Sequence, residues 1–177
     1  MKGRDVILGI LSRKERTGYD IKNILENQLS YFYDGTYGMI YPTLRKLEAE
    51  GKIKKEVVIQ EGRPNKNVFA ITEAGREEFA AYFESDVDVE TVKSDLLMRL
   101  FFAPDLSKEN LQPLLTEGIA RKEERIQQLQ DNLQAWQGEG GLTSTQEITI
   151  KYGLAYYQAT KQVLEAALKD LENKEDS

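Results

Sequence analysis

A mainly α fold with one small β-hairpin, divided into a mixed first part and an all-helical second part, is what this 177-residue sequence predicts. Three observations carry the expectation. Apolar residues recur at helical spacing through most of the chain. The period changes to near alternation only around residues 52–72, where a turn-forming run separates two β-branched stretches. Charge is also unevenly spread: residues 1–82 hold 14 basic and 12 acidic side chains, whereas residues 83–177 hold 10 and 18. Such asymmetry suggests two parts with different tasks, placed at 1–84 and 85–177.

The elements follow in order. DVILGIL (5–11) reads as a short first helix, with Gly9 permitting close packing. Thr17 opens a second helix, about 17–29, with Asp20 three residues on as a variant capping box. Ile21, Ile24, Leu25 and Leu29 form its apolar stripe. Thr36 is placed to cap a third helix, whose seam is Ile40, Leu44 and Leu47, and Gly51 ends it as a left-handed C-terminal residue. Pro42 has no backbone N–H to donate, so it belongs to a first turn or an irregularity. Regular helix is therefore expected from about Ile40, after a loosely wound lead-in from Thr36 to Met39. KIKKEVVIQ (52–60) and VFAIT (68–72) alternate on either side of EGRPNKN (61–67), a turn signal, so a hairpin with a basic loop follows. Thr72 caps a fourth helix.

SDVDV (85–89) is a short acidic connection, and TVKSDLLMRLFFA (91–103) a strongly apolar helix ended by Pro104. In the long run 107–137, Leu115, Ile119, Lys122, Ile126, Leu129, Leu133 and Trp136 keep heptad spacing. GEGG (138–141) breaks it. The last helix, 144–173, carries Leu154, Tyr157, Lys161, Leu164, Leu168 and Leu171. Matching seams joined by glycines predict an antiparallel hairpin.

Composition narrows the function. The chain has no cysteine and no histidine. Disulfides, thiolate metal sites, cysteine nucleophiles and Ser-His-Asp chemistry are excluded, and an enzyme is the least expected class. No metal or cofactor is implied. The apolar run Val6–Leu11 is too short to span a membrane, and no small-residue cleavage site follows it, so a cytoplasmic protein is expected. The net charge of −6 argues against attraction of the whole chain to a polyanion. Local charge is what counts within a screening length, however, and residues 36–67 hold seven Lys/Arg against four Glu.

Three helices followed by a basic hairpin is the winged helix-turn-helix order, in which the third helix enters the major groove and the hairpin reaches adjacent backbone or minor groove. A reading helix needs one buried seam and one polar, basic or aromatic face. Tyr37, Tyr41 and Arg45 lie at i, i+4 and i+8 away from the seam, with Thr36, Thr43 and Lys46 beside them. Arginine bonds guanine edges in a bidentate way, and hydroxyls bond phosphates or bases. Tyr41 is equally placed to pack on the second helix.

TGYDI (17–21), YGMIYPTLRKLEAEG (37–51) and EGRPNKNVFAITEAG (61–75) closely resemble the PadR family of bacterial transcriptional regulators over about residues 1–82. More loosely, through its pattern and DLLMRLFF, the segment 91–173 resembles the helical dimerisation domain of the family's longer-tailed branch, related to virulence activators. The resemblance implies a homodimer on operator DNA, more often a repressor released by a small molecule than an activator. It places DNA contacts on Tyr19, on Thr36, Tyr37, Gly38, Tyr41, Pro42, Arg45 and Lys46, and on Arg63, Pro64 and Lys66 of the wing. The family's long-tailed phenolic-acid sensors carry a C-terminal histidine that this chain lacks, which weighs against a phenolic acid as its ligand.

The second part supplies candidates of another kind. Asp95 and Arg99 at i, i+4, with Trp136, Tyr152 and Tyr156, could line a site for a small aromatic effector, or simply pack. Leu115, Ile119, Ile126, Leu129, Leu133, Leu164, Leu168 and Leu171 are expected at a dimer interface, because helices this long are hard to bury within one chain. Lys122 and Lys161 interrupt these seams, where long stems can reach the seam's edge or set register. Activation through protein partners, without an effector, is the competing expectation, and a pure protein-interaction module a third.

Overall fold

The computed structural model describes residues 1–35, 37–59, 62, 65–103, 106–138 and 142–173, and the side chains of all of these but 37, 137 and 138. The chain forms two compact units, Met1–Glu90 and Thr91–Ser177.

In the first unit, α1 (Gly3–Arg13) is followed by a two-residue strand β1 (Arg16–Thr17) and by α2 (Gly18–Ile24). A widened turn of π type, Leu25–Leu29, extends α2, so the expected second helix is regular only in its first half. A single 3-10 turn, Tyr37–Met39, leads into α3 (Ile40–Ala49). Strands β2 (Ile53–Val58) and β3 (Lys66–Ile71) and helix α4 (Glu73–Glu84) complete the unit. The capping chemistry is as the residues indicated. Thr17 donates its backbone N–H to Asp20 Oδ2 (2.9 Å) and accepts the Asp20 N–H on Oγ1 (3.1 Å). Gly51 takes φ +69°, and the Thr72 hydroxyl accepts the Gly75 N–H.

The sheet runs β1-β3-β2, antiparallel throughout, with Ile53 opposite Ile71 and Val58 opposite Lys66. The sequence did not announce β1, since two residues carry no period. They pair with the wing, Arg16 opposite Phe69. Alternation in β2 also promised more burial than there is. Only Ile53 is buried, and everything from Lys54 to Val58 is exposed on both faces. The core simply ends there: Ile7, Leu8, Leu11, Ile21, Leu25, Ile40, Leu44, Leu47, Ile53, Phe69 and Ile71 form one cluster, and the far half of the hairpin projects beyond it. At the base, Arg4 ties three helices together by donating from Nε to Glu78 Oε1 and from Nη2 to Glu50 Oε2, both at 2.6 Å. Burial alone would raise the Glu78 pKa, but Arg4 and Lys52 outweigh it and hold the carboxyl below its ordinary range.

In the second unit, α5 (Asp95–Phe102) starts four residues later than the apolar run suggested, because Ser94 caps it by accepting the Leu97 N–H. Then come α6 (Lys108–Gly138) and α7 (Ser144–Asn173). Gly118 lies under Leu164, and Lys122, one turn on, lies over Tyr157, so α7 descends as α6 rises. Leu115 and Leu129 of α6 are buried with Ile150, Tyr157 and Leu164 of α7. Among the described residues no helix is long and apolar enough to cross a membrane. The Pro104 stop and most of the glycine-rich link, residues 139–141, lie outside the described residues.

Candidate nucleic-acid interface

Helix α3 separates its two faces cleanly. Ile40, Leu44 and Leu47 point into the core, while Tyr41, Pro42, Arg45 and Lys46 are exposed and Thr43 half-buried. Pro42 is the third residue of α3, where a backbone N–H would have no intrahelical acceptor in any case. Regular winding does begin at Ile40. The electrostatics favour an anion at this face. Both carboxylates near the end of α3 are engaged elsewhere, Glu48 with Lys55 at 3.7 Å and Glu50 with Arg4. Among the described residues, Arg45 and Lys46 have neither a hydrogen-bond nor an ion-pair partner.

Tyr41 does both things its position allowed. Its ring lies on Gly18, the first residue of α2: a Cβ built there would stand 2.9 Å from Oη and 3.0 Å from Cε1. The residue nevertheless keeps 46% of its surface exposed, and Tyr19, which follows Gly18 in α2, is 68% exposed. Gly18 is the position, not evident from the residue pattern, that makes room for the Tyr41 ring. The available signal was a poor helix former standing between a cap and an aromatic residue. Asp20, beneath this corner, is pushed up by burial but held lower still by the Thr17 N–H and hydroxyl, with Arg16 and Lys66 adding their fields.

The wing brings Lys66 to the start of β3, and Lys54 and Lys55 along β2, all exposed. Gly38 lies in the 3-10 turn with open space where a side chain would project. Thr36, Arg63 and Pro64 lie outside the described residues, as does the side chain of Tyr37. The described groups can present a guanidinium, an ammonium and hydroxyls to base edges and phosphates, the repertoire of direct and backbone readout. No group of side chains among the described residues is suited to hold a metal ion.

The candidates in the second unit do not gather. Asp95 and Arg99 form an exposed pair at 2.6 Å beside a groove of about 930 Å³ that Tyr157 also lines. Trp136 stands 14 residues beyond Lys122 on α6, hence about 20 Å away along the helix. Tyr156 packs edge-on against Tyr157 under Lys122, and Tyr152 is exposed. The two seam lysines differ. Lys161 bonds Glu123 (2.8 Å) and Glu165 (3.3 Å), which raise its pKa. Lys122 has no ion pair among the described residues and lies 5.2 Å from both tyrosine centroids, its pKa lowered by burial. Of the eight residues expected between subunits, Leu115, Leu129 and Leu164 are buried within the chain itself. Ile119, Ile126, Leu133, Leu168 and Leu171 remain partly open.

Comparison with known proteins adds a family. Residues 7–81 match the transcriptional regulator PadR-like family, and residues 92–172 match the virulence activator alpha C-term family. The chain is 65% identical to smu.1604c of Streptococcus mutans, whose crystal structure superposes with a TM-score of 0.91 over 96% of this chain and 99% of that one. It is 43% identical to the PadR-like transcriptional regulator BC1756 of Bacillus cereus, with a TM-score of 0.88 over 98% and 99%. It is also 29% identical to the negative transcriptional regulator PadR of Bacillus subtilis, over 70% of this chain and 69% of that one.

Proposed function

The chain belongs to the PadR-like family of transcriptional regulators, and from that premise we propose that it is a cytoplasmic, ligand-responsive repressor that binds a palindromic operator as a homodimer. The observation that carries the reading is the outer face of α3, where Arg45 and Lys46 stand exposed and without a partner among the described residues while the neighbouring carboxylates are occupied. Tyr19, Thr36, Tyr37, Gly38, Tyr41 and Pro42 complete the reading surface, and Arg63, Pro64 and Lys66 reach the flanking backbone from the wing. One such face is small. Two copies about 34 Å apart match successive major grooves, which is why the operator should be two-fold symmetric.

The second copy is supported by α5, whose Leu97, Met98, Phe101 and Phe102 are all exposed, the last two at 78% and 70%. Apolar surface that is contiguous and this large marks an interaction face. Ile119, Ile126, Leu133, Leu168 and Leu171 add partly open apolar surface on α6 and α7, while Leu115, Leu129 and Leu164 are buried within the chain. The name of the Bacillus subtilis relative supports a negative sign of regulation. For the effector, the groove beside Asp95 and Arg99 supports a site for a small aromatic molecule, with Tyr156 nearby and Tyr152 and Trp136 farther along the hairpin. Such a ligand acts only if it binds the DNA-competent and DNA-incompetent arrangements with different affinity.

The test is a gel shift with the DNA upstream of the chain's own gene, paired with light scattering on the free protein. A shifted band, a dimer in solution and derepression of a reporter in a deletion strain are the expected results. No shift even at low salt would overturn the DNA reading. The second reading is a transcriptional activator that works through protein partners and needs no effector. It is favoured by the match of residues 92–172 to the virulence activator alpha C-term family. Loss of reporter expression on deletion would select it.

A further inference from the structure

Beside α3 lies a second groove, of about 350 Å³, between the start of α1 and the flank of α3 that carries Met39, Pro42, Thr43 and Lys46. Helical geometry puts this flank on the opposite side of the outer face from Tyr41. Three cations line the groove, Lys2, Arg4 and Lys46, and among the described residues no carboxylate does. Arg4 is committed to Glu78 and Glu50. Lys2 and Lys46 are exposed and have no ion pair among the described residues. Asp88, which the Lys2 charge helps to hold below its ordinary range, is itself paired with the Met1 ammonium. The floor is aliphatic, built from Met39, Pro42 and Leu47. The start of α1 lies directly on Met39: a Cβ built on Gly3 would overlap Met39 Cε.

A carbon-rich floor under unpaired ammonium groups suits one chemistry in particular, a sugar–phosphate strand, whose deoxyribose edge is apolar and whose phosphate is anionic. We propose that this groove seats one backbone phosphate of the duplex that α3 reads, with Lys2 and Lys46 as its ligands and the Pro42 ring against the adjoining sugar. The inference rests on α3 as the reading helix. It makes α1 part of the DNA frame, so that α3 is bracketed by Tyr19 on one flank and Lys2 on the other. It also gives Pro42 a task beyond tolerating its place in the first turn.

The experiment measures affinity of the full-length protein for its own upstream fragment and for unrelated duplex, from about 50 to about 200 mM salt. Lys2→Ala should weaken both DNAs alike and flatten the log–log salt slope by about 0.9 per subunit, so that this salt interval reduces its affinity about threefold less per subunit than it does the wild type. Lys14→Ala, at the other end of α1, should change nothing. A duplex with a neutral methylphosphonate at the seated position should be bound equally by wild type and Lys2→Ala. An unchanged slope for Lys2→Ala, or no position at which the methylphosphonate removes the difference, overturns the proposal. Arg45→Ala in the same series separates the two ideas. If it relaxes base preference while Lys2→Ala is silent, only the phosphate seat falls. If Lys2→Ala flattens the slope while base preference survives Arg45→Ala, the seat stands and the base-reading role of α3 falls. If neither variant has an effect, both fall.

Discussion

Replacing Gly18 with alanine should damage DNA binding far more than folding. The new methyl would stand 2.9 Å from Tyr41 Oη, 3.0 Å from Cε1 and 3.1 Å from Cζ. Comfortable carbon contacts are about 3.5–4.0 Å, so the ring must retreat by roughly half an ångström or more. Overpacking in a closed core costs about 1–3 kcal/mol. Here the obstructed atoms are the far end of a half-exposed side chain that can swing outward, so the stability loss should lie near the lower figure, about 1 kcal/mol. The same swing carries the tyrosine outward, into the space proposed for the duplex. Operator affinity should fall at least about tenfold, which is about 1.4 kcal/mol. Urea denaturation reads the first quantity and fluorescence anisotropy with labelled operator the second. A double-mutant cycle isolates the cause. In a Tyr41→Ala background, Gly18→Ala should do no further harm to binding. If the two losses simply add, Tyr41 does not transmit the effect and the reasoning about this corner is wrong.

Four further substitutions probe the scaffold. Leu47→Ala removes a fully buried side chain from the inner face of α3 and should cost about 2–5 kcal/mol in urea denaturation, the range for a cavity that cannot collapse. Glu78 has its folded-state pKa depressed by Arg4 and Lys52, so the stability it contributes is present above the ordinary glutamate range and is lost as pH falls through the folded value. Glu78→Gln should therefore lower stability at neutral pH and flatten the acid limb of a stability–pH profile. Lys122 is partly desolvated and has no ion pair among the described residues, whereas Lys161 is paired twice. Lys122→Met should be neutral or stabilising in thermal denaturation, and Lys161→Met should cost at most about 1 kcal/mol.

What could be read in the sequence was whatever neighbouring residues determine. Thr17 and Asp20 cap each other within one turn, Gly51 takes its left-handed conformation alone, and Pro42 restricts only its own turn, so the start of α3 at Ile40 was legible. So was the hairpin, through the turn residues between its strands. Features that depend on distant partners were not. Strand β1 exists because β3 is there to pair with it. Exposure along β2 depends on where the core stops. Lys122 and Lys161 occupy equivalent seam positions, and only the opposing helix gives one a glutamate and the other two tyrosines. Ile150 and Gly153 were missed as members of the α7 seam because the heptad reading began at Leu154. The sequence offers Trp136, Tyr152 and Tyr156 as candidates because aromatic residues are conspicuous in it, not because it shows them close together. The antiparallel hairpin spreads them along its length.

DNA reading by α3 is tested most directly by a competition measurement on Arg45→Ala. Wild type and variant are titrated against the upstream fragment in the presence of excess unrelated duplex at one fixed salt concentration. Loss of a bidentate base contact should remove about 1–3 kcal/mol of discrimination, so the ratio of specific to unrelated binding should fall by roughly five- to 150-fold while binding to unrelated DNA changes little. An unchanged ratio, with Arg45→Ala still choosing the upstream fragment as the wild type does, would contradict the assignment of this face.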